Sequence, residues 1–352
     1  MRIGVPKEIK PLEGRVALVP EACGDLVRQG HEVLIESGAG VASGFEDGDY
    51  ANRGVEIVPD ARTLYSRAQL IVKVKEPWGD EIELLRQDHL LFCFLHLAAN
   101  VDLIPRLCEI GLTAVAFETV ADDTGLPVLA PMSDIAGRIA VQMGTTLLHR
   151  PQGGKGLLLG GLAGVKRGRV VVLGAGQVGG NAARLAAGMG AEVVVFDRQR
   201  PRLEAMRAVG ANVTALYAYN DRIAEEVARA DLLIGAVLLP GARTPRLVSR
   251  EQVAEMGPGS VIVDVSVDQG GCIETTRPTT WEAPTYTESG ITHFGVTNMP
   301  GAVPRSASQA LCAALMPYVM RLAEPEWWKE PALQAGINVE KGHVVHPALT
   351  EL

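Results

Sequence analysis

Four residues with side chains suited to proton transfer or anion binding stand near the ends of predicted apolar strands. Lys75, His96 and Asp268 each end such a run, and Arg15 lies in the loop after the first one. Ligands of open α/β sheets bind beyond the carboxyl ends of the strands. An imidazole exchanges protons near neutrality, and a guanidinium binds a carboxylate through two parallel hydrogen bonds. Three of the four also have a structural alternative: a solvated strand edge for the lysine, a core position for the histidine and an ordinary surface position for the arginine.

The flanking residues refine two of these positions. Period-two alternation places Lys73 and Lys75 on one face of a strand, and Pro77 stops that strand just after Lys75. Asp268 is predicted to end its strand and to face Lys75 and His96 from a second domain. Asp264 lies four residues before Asp268 on the same predicted strand face, deeper in the sheet, and is predicted to be a structural hydrogen-bond acceptor.

A glycine-rich turn supplies the strongest local motif. Gly174, Gly176 and Gly179 form a GxGxxG pattern that directly follows an apolar strand and opens a helix of small residues. The first glycine permits a tight turn, the second allows close approach of a pyrophosphate, and the third lets the helix pack against the strand. The helix N-terminus offers unpaired N–H groups to phosphate. The motif predicts a dinucleotide site.

Asp197 stands at the end of the next strand, at the spacing expected for a residue that binds the adenosine ribose. A carboxylate there accepts hydrogen bonds from the ribose 2′-OH and repels a 2′-phosphate. It therefore predicts NAD as the cofactor, although the adjacent Arg198 could meet a phosphate. The alternative is that Asp197 merely caps its strand.

The elements that position these residues alternate between strand and helix. This pattern predicts parallel sheets with helices on both faces. The first series of strands covers residues 2–5, 32–36, 69–75, 90–95 and 112–118, with helices at 21–29 and 102–109. The second series has strands at 170–173, 192–196, 231–237 and 260–267, with a helix at 179–189.

Helical patterns at 133–150 and 306–322 flank the second series, and Ser133 is a plausible N-cap of the first of them. The sequence thus predicts an α/β fold of two Rossmann-like domains, with the NAD-binding domain inserted into a discontinuous substrate domain. The substrate domain comprises residues 1–128 and 305–352, and the NAD-binding domain comprises 129–304. The chain from Glu324 onward is predicted to be loosely structured.

Composition bounds the function classes. The 352 residues suggest two domains, and 33 basic against 41 acidic residues give a net charge of −8, which disfavours nucleic acid and membrane surfaces as partners. Five cysteines without a CxxC pair argue for a reducing compartment rather than a disulfide framework. No signal peptide or spanning segment is expected, so the protein is predicted to be cytoplasmic.

Several segments resemble the alanine dehydrogenase family, which includes the NAD-binding part of nicotinamide nucleotide transhydrogenase. The resemblance extends over nearly the whole chain. Its most specific segments are 1–8 (MRIGVPKE), 74–77 (VKEP), 94–98 (FLHLA), 131–138 (PMSDIAGR), 268–272 (DQGGC) and 298–305 (NMPGAVPR).

The resemblance implies a role for each site residue. Arg15 and Lys75 would hold the substrate carboxylate and carbonyl, and His96 and Asp268 would be the acid–base residues. The resemblance and the glycine-rich turn together imply a set of residues that contact the dinucleotide. They are Ser133, Gly174, Gly176, Gln177, Val178, Gly179, Asp197, Arg202, Val237, Leu238, Val265, Ser266, Val267, Asp268, Val296, Thr297, Asn298 and Met299.

The chain departs from the family pattern in places. Asp134 stands where a glutamate is common, and Phe117 where a tyrosine is expected. A carboxylate–histidine pair that suggests a metal site in some relatives is not reproduced at 321–325, so no metal is predicted. The resemblance also suggests a homohexamer.

The implied reaction is the reversible NAD-dependent oxidative deamination of L-alanine to pyruvate and ammonium. The alternatives are a 2-hydroxy acid dehydrogenase, which would reduce pyruvate without ammonium, and the NAD(H)-binding subunit of a proton-translocating transhydrogenase. The second alternative is disfavoured because no spanning segment is expected. It is also disfavoured because only a short stretch of chain separates Asp197 from Asp231. The site is expected to be complete only when the cleft between the domains closes.

Overall fold

The computed structural model describes residues 1–237 and 244–350. It divides into two compact units, of which unit 1 comprises Met1–Met132 with Gly301–Leu352 and unit 2 comprises Ser133–Pro300. In the described part of the chain, no helix is long and apolar enough to cross a membrane.

The strands are numbered in chain order. They are β1 Arg2–Val5, β2 Glu32–Glu36, β3 Glu56–Val58, β4 Leu70–Val72, β5 Leu90–Cys93, β6 Thr113–Ala116, β7 Arg169–Leu173, β8 Glu192–Asp197, β9 Val213–Tyr217, β10 Leu232–Gly235, β11 Val261–Asp264, β12 Thr285–Glu288, β13 Ile291–Phe294, β14 Ile337–Glu340 and β15 His343–Val344.

The α-helices are numbered in the same way. They are α1 Pro20–Arg28, α2 Asp47–Ala51, α3 Ala61–Arg67, α4 Leu103–Ile110, α5 Ala130–Leu147, α6 Gln177–Gly188, α7 Arg200–Arg207, α8 Asn220–Ala228, α9 Arg250–Ala254, α10 Pro304–Leu322 and α11 Pro331–Gly336.

The sheet of unit 1 has the strand order β15-β14-β6-β5-β4-β1-β2-β3. Its strands run parallel from β6 to β3, whereas β14 pairs antiparallel with both β6 and β15. Every residue of β4 and β5 is buried. Continuous apolar runs are typical of strands covered by helices on both faces.

The sheet of unit 2 has the strand order β12-β13-β11-β10-β7-β8-β9. All neighbouring pairs are parallel except β12 with β13, which form an antiparallel edge. The strands β10 and β11 are buried throughout, and apolar side chains beneath α8 and α9 close one face of the sheet.

Both sheets reverse their strand order beside the first strand of the unit. In unit 1, β1 lies between β2 and β4, and in unit 2, β7 lies between β8 and β10. Ligands of doubly wound folds bind at such switch points, beyond the carboxyl ends of the strands. The predicted α/β fold class is confirmed, with antiparallel strands at the edges as the difference from all-parallel sheets.

Two predictions about local structure were wrong: one concerns the start of a helix, and the other the order of the C-terminal segment. Helix α5 begins at Ala130, so Ser133 lies inside the helix and is not its N-cap. Pro131 is tolerated because the first-turn N–H groups have no intrahelical partner. The chain beyond Glu324 is not loosely structured, since β14 pairs with β6 through Ile337 and Val115.

Two strands also end earlier than the alternation predicts. β4 ends at Val72, so Lys73 and Lys75 do not share one strand face. β11 ends at Asp264 and is followed by the 3-10 helix Val265–Gln269, which contains Asp268. Asp268 is therefore exposed on a helical turn after the strand and does not end the strand itself.

Candidate functional site

Arg15 is almost fully buried in unit 1 and is held by Glu13. The arginine Nε and Nη2 donate to the two Glu13 oxygens at 2.7 and 2.6 Å, and Nη1 lies 3.1 Å from the Met132 sulfur. Burial raises the pKa of Glu13, but hydrogen bonds and charge from Arg15 outweigh it and hold the pKa below its usual value. This bidentate pair fixes the plane of the guanidinium.

Lys75 follows β4 at the switch point of unit 1. Its backbone nitrogen lies 3.4 Å from both carboxylate oxygens of Glu8, and its carbonyl accepts a hydrogen bond from Lys73 Nζ at 3.1 Å. Burial, followed by the positive charge of Arg15, lowers the pKa of the Lys75 ammonium. Arg15 and Lys75 thus concentrate positive charge at the edge of the sheet where the sequence predicts a substrate carboxylate.

His96 lies three residues beyond the end of β5 and has a left-handed backbone, with φ 49°. This conformation is costly for a residue with a Cβ and persists only where its surroundings impose it. Glu118 does so here: its carboxylate accepts the His96 N–H at 2.6 Å and the Leu95 N–H at 3.3 Å. Burial raises the pKa of Glu118.

The imidazole of His96 is half-buried and stacks on the Phe94 ring with centroids 5.5 Å apart. Burial, followed by the positive charge of Lys75, lowers the pKa of His96 to about 4. The ring is therefore neutral at pH 7 and has a lone pair that can accept a proton. Unit 1 thus places an unprotonated imidazole near two cations, so a carboxylate bound by the cations would lie near a group that can accept a proton.

The glycine-rich turn of unit 2 joins β7 to α6 as the motif predicts. Gly174 has φ 97°, and a Cβ there would lie 2.5 Å from the Ala236 carbonyl oxygen. A Cβ on Gly179 would lie 1.8 Å from the Gly174 oxygen. Around Gly176, by contrast, the nearest atom is Arg202 Nη1 at 3.8 Å. The first and third glycines are needed for packing, whereas the second leaves space at the N-terminus of α6.

Asp197 ends β8 and supports the turn. Its carboxylate accepts the Ala175 N–H at 2.8 Å and the Gln199 N–H at 2.7 Å. Arg202 Nη1 lies 3.6 Å from the same carboxylate. Because each carboxylate oxygen can accept more than one hydrogen bond, these contacts leave acceptor capacity for ribose hydroxyls. The residues of this turn fit a bound dinucleotide.

Helix α5 packs on the other side of the turn. A Cβ on Gly137 would lie 2.2 Å from the Val178 oxygen, so the helix and the turn are in backbone contact. Asp134 accepts hydrogen bonds from Gln177 Nε2 at 2.6 Å and Asn181 Nδ2 at 2.7 Å. Ser133 lies one helical turn before Gly137 on the same face of α5, which places it on the side facing the turn.

Asp264 and Asp268 have different surroundings. Asp264 is fully buried and accepts hydrogen bonds from the Ser266 and Cys272 N–H groups and from the Thr276 hydroxyl. It is the structural acceptor that the sequence predicts, and burial raises its pKa. Asp268 is an exposed residue of the 3-10 helix Val265–Gln269, in which Ser266 and Val267 are buried.

The remaining predicted cofactor residues lie along the carboxyl edge of the same sheet. Val237 follows β10, Ser266 and Val267 are buried in the 3-10 helix after β11 with Val265 beside them, and Val296 is buried after β13. Thr297 donates its N–H to the Thr279 carbonyl, Asn298 has φ 55°, and Met299 begins the 3-10 helix Met299–Ala302. Leu238 lies outside the described residues.

Sequence reasoning missed the residues that support the site. Glu118 holds the backbone of His96, and Glu8 holds that of Lys75, from distant places along the chain. Lys73 holds the Lys75 carbonyl, whereas alternation predicts for it only a shared strand face. Glu118 ends a predicted strand, which is the signal that could have singled it out. Within residues 1–237 and 244–350, no group of three or more His, Cys, Asp and Glu side chains could hold a metal ion.

Comparison with known proteins gives full-length matches. Family models described as the N-terminal and C-terminal domains of alanine dehydrogenase/PNT match residues 4–136 and 140–347. An alanine dehydrogenase of Halomonas elongata is 47% identical, with 100% of this chain and 96% of that protein covered. One of Bacillus subtilis is also 47% identical, with 99% and 94% covered.

Solved structures agree with these matches. A structure of an L-alanine dehydrogenase superposes with a TM-score of 0.96 at 50% identity, covering 100% of this chain and 98% of that one. A transhydrogenase from Sinorhizobium meliloti gives a TM-score of 0.87 at 28% identity, covering 99% and 100%. The family predicted from the sequence motifs is confirmed: the chain belongs to the alanine dehydrogenase/PNT family.

Proposed function

We propose that the chain is an NAD-dependent amino-acid dehydrogenase that converts L-alanine to pyruvate and ammonium, and catalyses the reverse reaction. The observation that carries this proposal is the arrangement of His96, Lys75 and Arg15 beyond the carboxyl ends of the parallel strands of unit 1, each held by a neighbouring charged side chain. Relatives of nearly equal length and about half-identical sequence are named alanine dehydrogenases, which supports the same substrate here.

The residues of unit 1 have distinct roles in this reaction. Arg15 and Lys75 bind the carboxylate and, in the reverse direction, the carbonyl of pyruvate. The substrate amine must lose a proton before Cα can give up hydride, and His96 is unprotonated at pH 7 and can accept that proton. Water then adds to the iminium carbon, and a proton returns to nitrogen before ammonia leaves. We assign Asp268 as the second proton carrier from the family resemblance.

Unit 2 supplies the cofactor site of the proposal. NAD bound at the glycine-rich turn would accept the hydride at its nicotinamide ring. The N-terminus of α6 and the open backbone at Gly176 favour a pyrophosphate, while Asp197 favours a ribose with a free 2′-OH. The carboxylate repels a 2′-phosphate, so NAD is preferred over NADP.

Steady-state assay of the purified chain tests this function. Formation of NADH is measured with L-alanine, L-serine, L-2-aminobutyrate and glycine at equal concentrations, each with NAD and with NADP. We expect the largest kcat/KM for L-alanine with NAD and stoichiometric pyruvate as the product. Absence of L-alanine-dependent NADH formation, or a clear preference for another amino acid, contradicts the proposal.

We also propose that the protein is a homohexamer, as the family resemblance implies, and that it is cytoplasmic, as the five cysteines without a CxxC pair suggest. Light scattering coupled to size-exclusion chromatography measures the molar mass of the assembly directly. A mass six times that of the chain is expected, and a monomer would contradict this assembly.

A further inference from the structure

The carboxylate of Glu8 holds the backbone that carries Lys75. Glu8 lies in the loop after β1, and its Oε1 accepts the Val74 N–H at 2.5 Å. Both of its oxygens lie 3.4 Å from the Lys75 nitrogen. Since β4 ends at Val72, these N–H groups lie beyond the regular strand pairing with β1. The Glu8 side chain therefore provides the acceptor that a continuing strand would have provided.

A buried lysine holds both Glu8 and the backbone carbonyl of Lys75. Lys73 Nζ lies 3.2 Å from Glu8 Oε2 and 3.2 Å from Glu81 Oε2, and it donates to the Lys75 carbonyl at 3.1 Å. Lys73 is 1% exposed. Glu81 is in turn fixed by the Tyr65 hydroxyl at 3.1 Å. Both the N–H and the carbonyl of Lys75 are thus tied to one buried charged cluster.

Stability alone is a weak explanation for this cluster. Removing charged groups from water costs several kcal/mol for each ion, and a buried ion pair often stabilises a fold no better than apolar side chains of similar volume. Such a cluster does restrict geometry, because each charged atom needs its partners in fixed places. The part of the backbone it restricts carries the lysine whose charge acts on His96.

We propose that Glu8 is a positioning residue for Lys75: by clamping the Val74–Lys75 backbone, it fixes where the Lys75 ammonium stands relative to His96 and the substrate. This role rests on the proposed function, which identifies the substrate, and adds to it a residue that positions Lys75. Glu8 itself touches neither the substrate nor the cofactor in this role.

The protonation of His96 reports the position of Lys75 independently of turnover. The positive charges of Lys75, Lys10 and Arg15 lower the pKa of His96, and the Glu76 carboxylate raises it. Replacing Glu8 by alanine removes a negative charge, and that loss alone lowers a histidine pKa. Displacement of the Lys75 ammonium raises it. Loss of the Glu8 charge alone therefore predicts a lower His96 pKa, whereas displacement of Lys75 predicts a higher one.

The experiment is an NMR titration of the full chain labelled with 13C at histidine Cε1, with the His96 signal assigned from the His96→Gln spectrum. Wild type, Glu8→Ala, Glu8→Gln and the control Asp231→Ala are compared. Asp231 is a matched carboxylate, because it pairs with Lys155 at 2.6 Å and accepts the Arg169 N–H at 2.8 Å in unit 2.

We expect the His96 pKa to rise by about 1 in Glu8→Ala. A smaller rise is expected in Glu8→Gln, whose amide oxygen still accepts the Val74 N–H, and no change in Asp231→Ala. The kcat for pyruvate reduction should fall about tenfold to a hundredfold in Glu8→Ala, because small misplacements of a substrate-binding group have effects of this size. The KM for NADH should be unchanged.

A His96 pKa that is unchanged or lower in folded Glu8→Ala overturns the proposal. If that variant does not fold, Glu8→Asp decides, because its shorter side chain keeps the charge but draws the carboxylate back from the Val74 N–H; an unchanged or lower His96 pKa there overturns the proposal as well. Should the wild-type chain fail to oxidise L-alanine, the proposed function fails, while the His96 titration still tests the role of Glu8.

Discussion

At the scale of single residues, the charge of Lys75 and the protonation of His96 are coupled. Burial is the larger reason for the low His96 pKa of about 4, and the Lys75 ammonium is the next. Neutralising that ammonium in Lys75→Met should raise the His96 pKa only part of the way toward the ordinary value near 6.5, because burial remains. NMR titration of the Cε1–H signal of His96 measures the change.

The internal control for this titration is His31 in the same sample. Burial and the N-terminal ammonium lower its pKa, and neither changes in Lys75→Met. A His31 pKa that stays constant while the His96 pKa rises supports the coupling. An unchanged His96 pKa would show that the Lys75 ammonium does not act on the imidazole.

The sequence identifies the residues that bear chemistry better than those that support them. Lys75 and His96 stand out because each follows an apolar run, which is a local pattern. Glu8 and Glu81 have no such pattern, and the contact between Glu8 and the Lys75 nitrogen joins residues 67 positions apart. Alternation even predicts a shared strand face for Lys73 and Lys75, whereas the strand ends before both and Lys73 is buried.

At the scale of elements, the turn between β7 and α6 contains one glycine needed for packing, Gly179, and one that we propose contacts the pyrophosphate, Gly176. A Cβ on Gly179 would meet the Gly174 oxygen at 1.8 Å, so Gly179→Ala should lower the melting temperature. Gly176 has φ −70° and open space around it, so Gly176→Ala should fold normally. Its methyl group would still obstruct a pyrophosphate and raise the KM for NAD.

Thermal unfolding and steady-state kinetics on the two variants check this pair. The expected result for Gly176→Ala is an unchanged melting temperature, a KM for NAD raised about tenfold or more and a near-normal KM for L-alanine, since a lost anion contact contributes ~1.5–3 kcal/mol. The role of the turn in binding NAD would be contradicted by an unchanged KM for NAD in Gly176→Ala.

Element boundaries could be predicted where local signals are strong. The sequence predicts β1 and β2 with the bounds that the structure has. We predict the start of α5 at Ser133 because a serine is a good N-cap. The helix begins at Ala130 instead, because a proline is tolerated in the first turn of a helix. The strand β14 escaped prediction because its partner β6 lies more than two hundred positions earlier.

At the scale of the whole molecule, buried histidines should make the fold sensitive to acid. His89 is 1% exposed, its Nδ1 accepts the Arg86 N–H at 3.1 Å, and its Nε2 therefore carries the proton and lies 2.9 Å from the Tyr65 carbonyl. Burial and the charge of Arg86 lower the pKa of His89. Below pH ~6.5 the unfolded chain binds a proton that the folded chain excludes.

The free energy of unfolding contributed by neutral His89 is thus present above pH ~6.5 and is lost as the pH falls toward the lowered pKa. Denaturant unfolding of His89→Gln should show a smaller decrease between pH 7 and pH 5 than the wild type. The exposed His343 provides the control, since His343→Gln should keep the wild-type slope. Equal slopes in all three proteins would show that His89 does not titrate with unfolding.

The central claim is that the whole chain uses His96 to exchange protons during an ammonia-dependent reaction on pyruvate. The most direct measurement is oxidation of NADH with pyruvate, with and without ammonium, in the wild type and in His96→Ala. We predict oxidation only with ammonium, and a kcat about 10² to 10⁴ times lower in the variant. Ammonium-independent oxidation, or near-normal kcat in His96→Ala, would contradict the account.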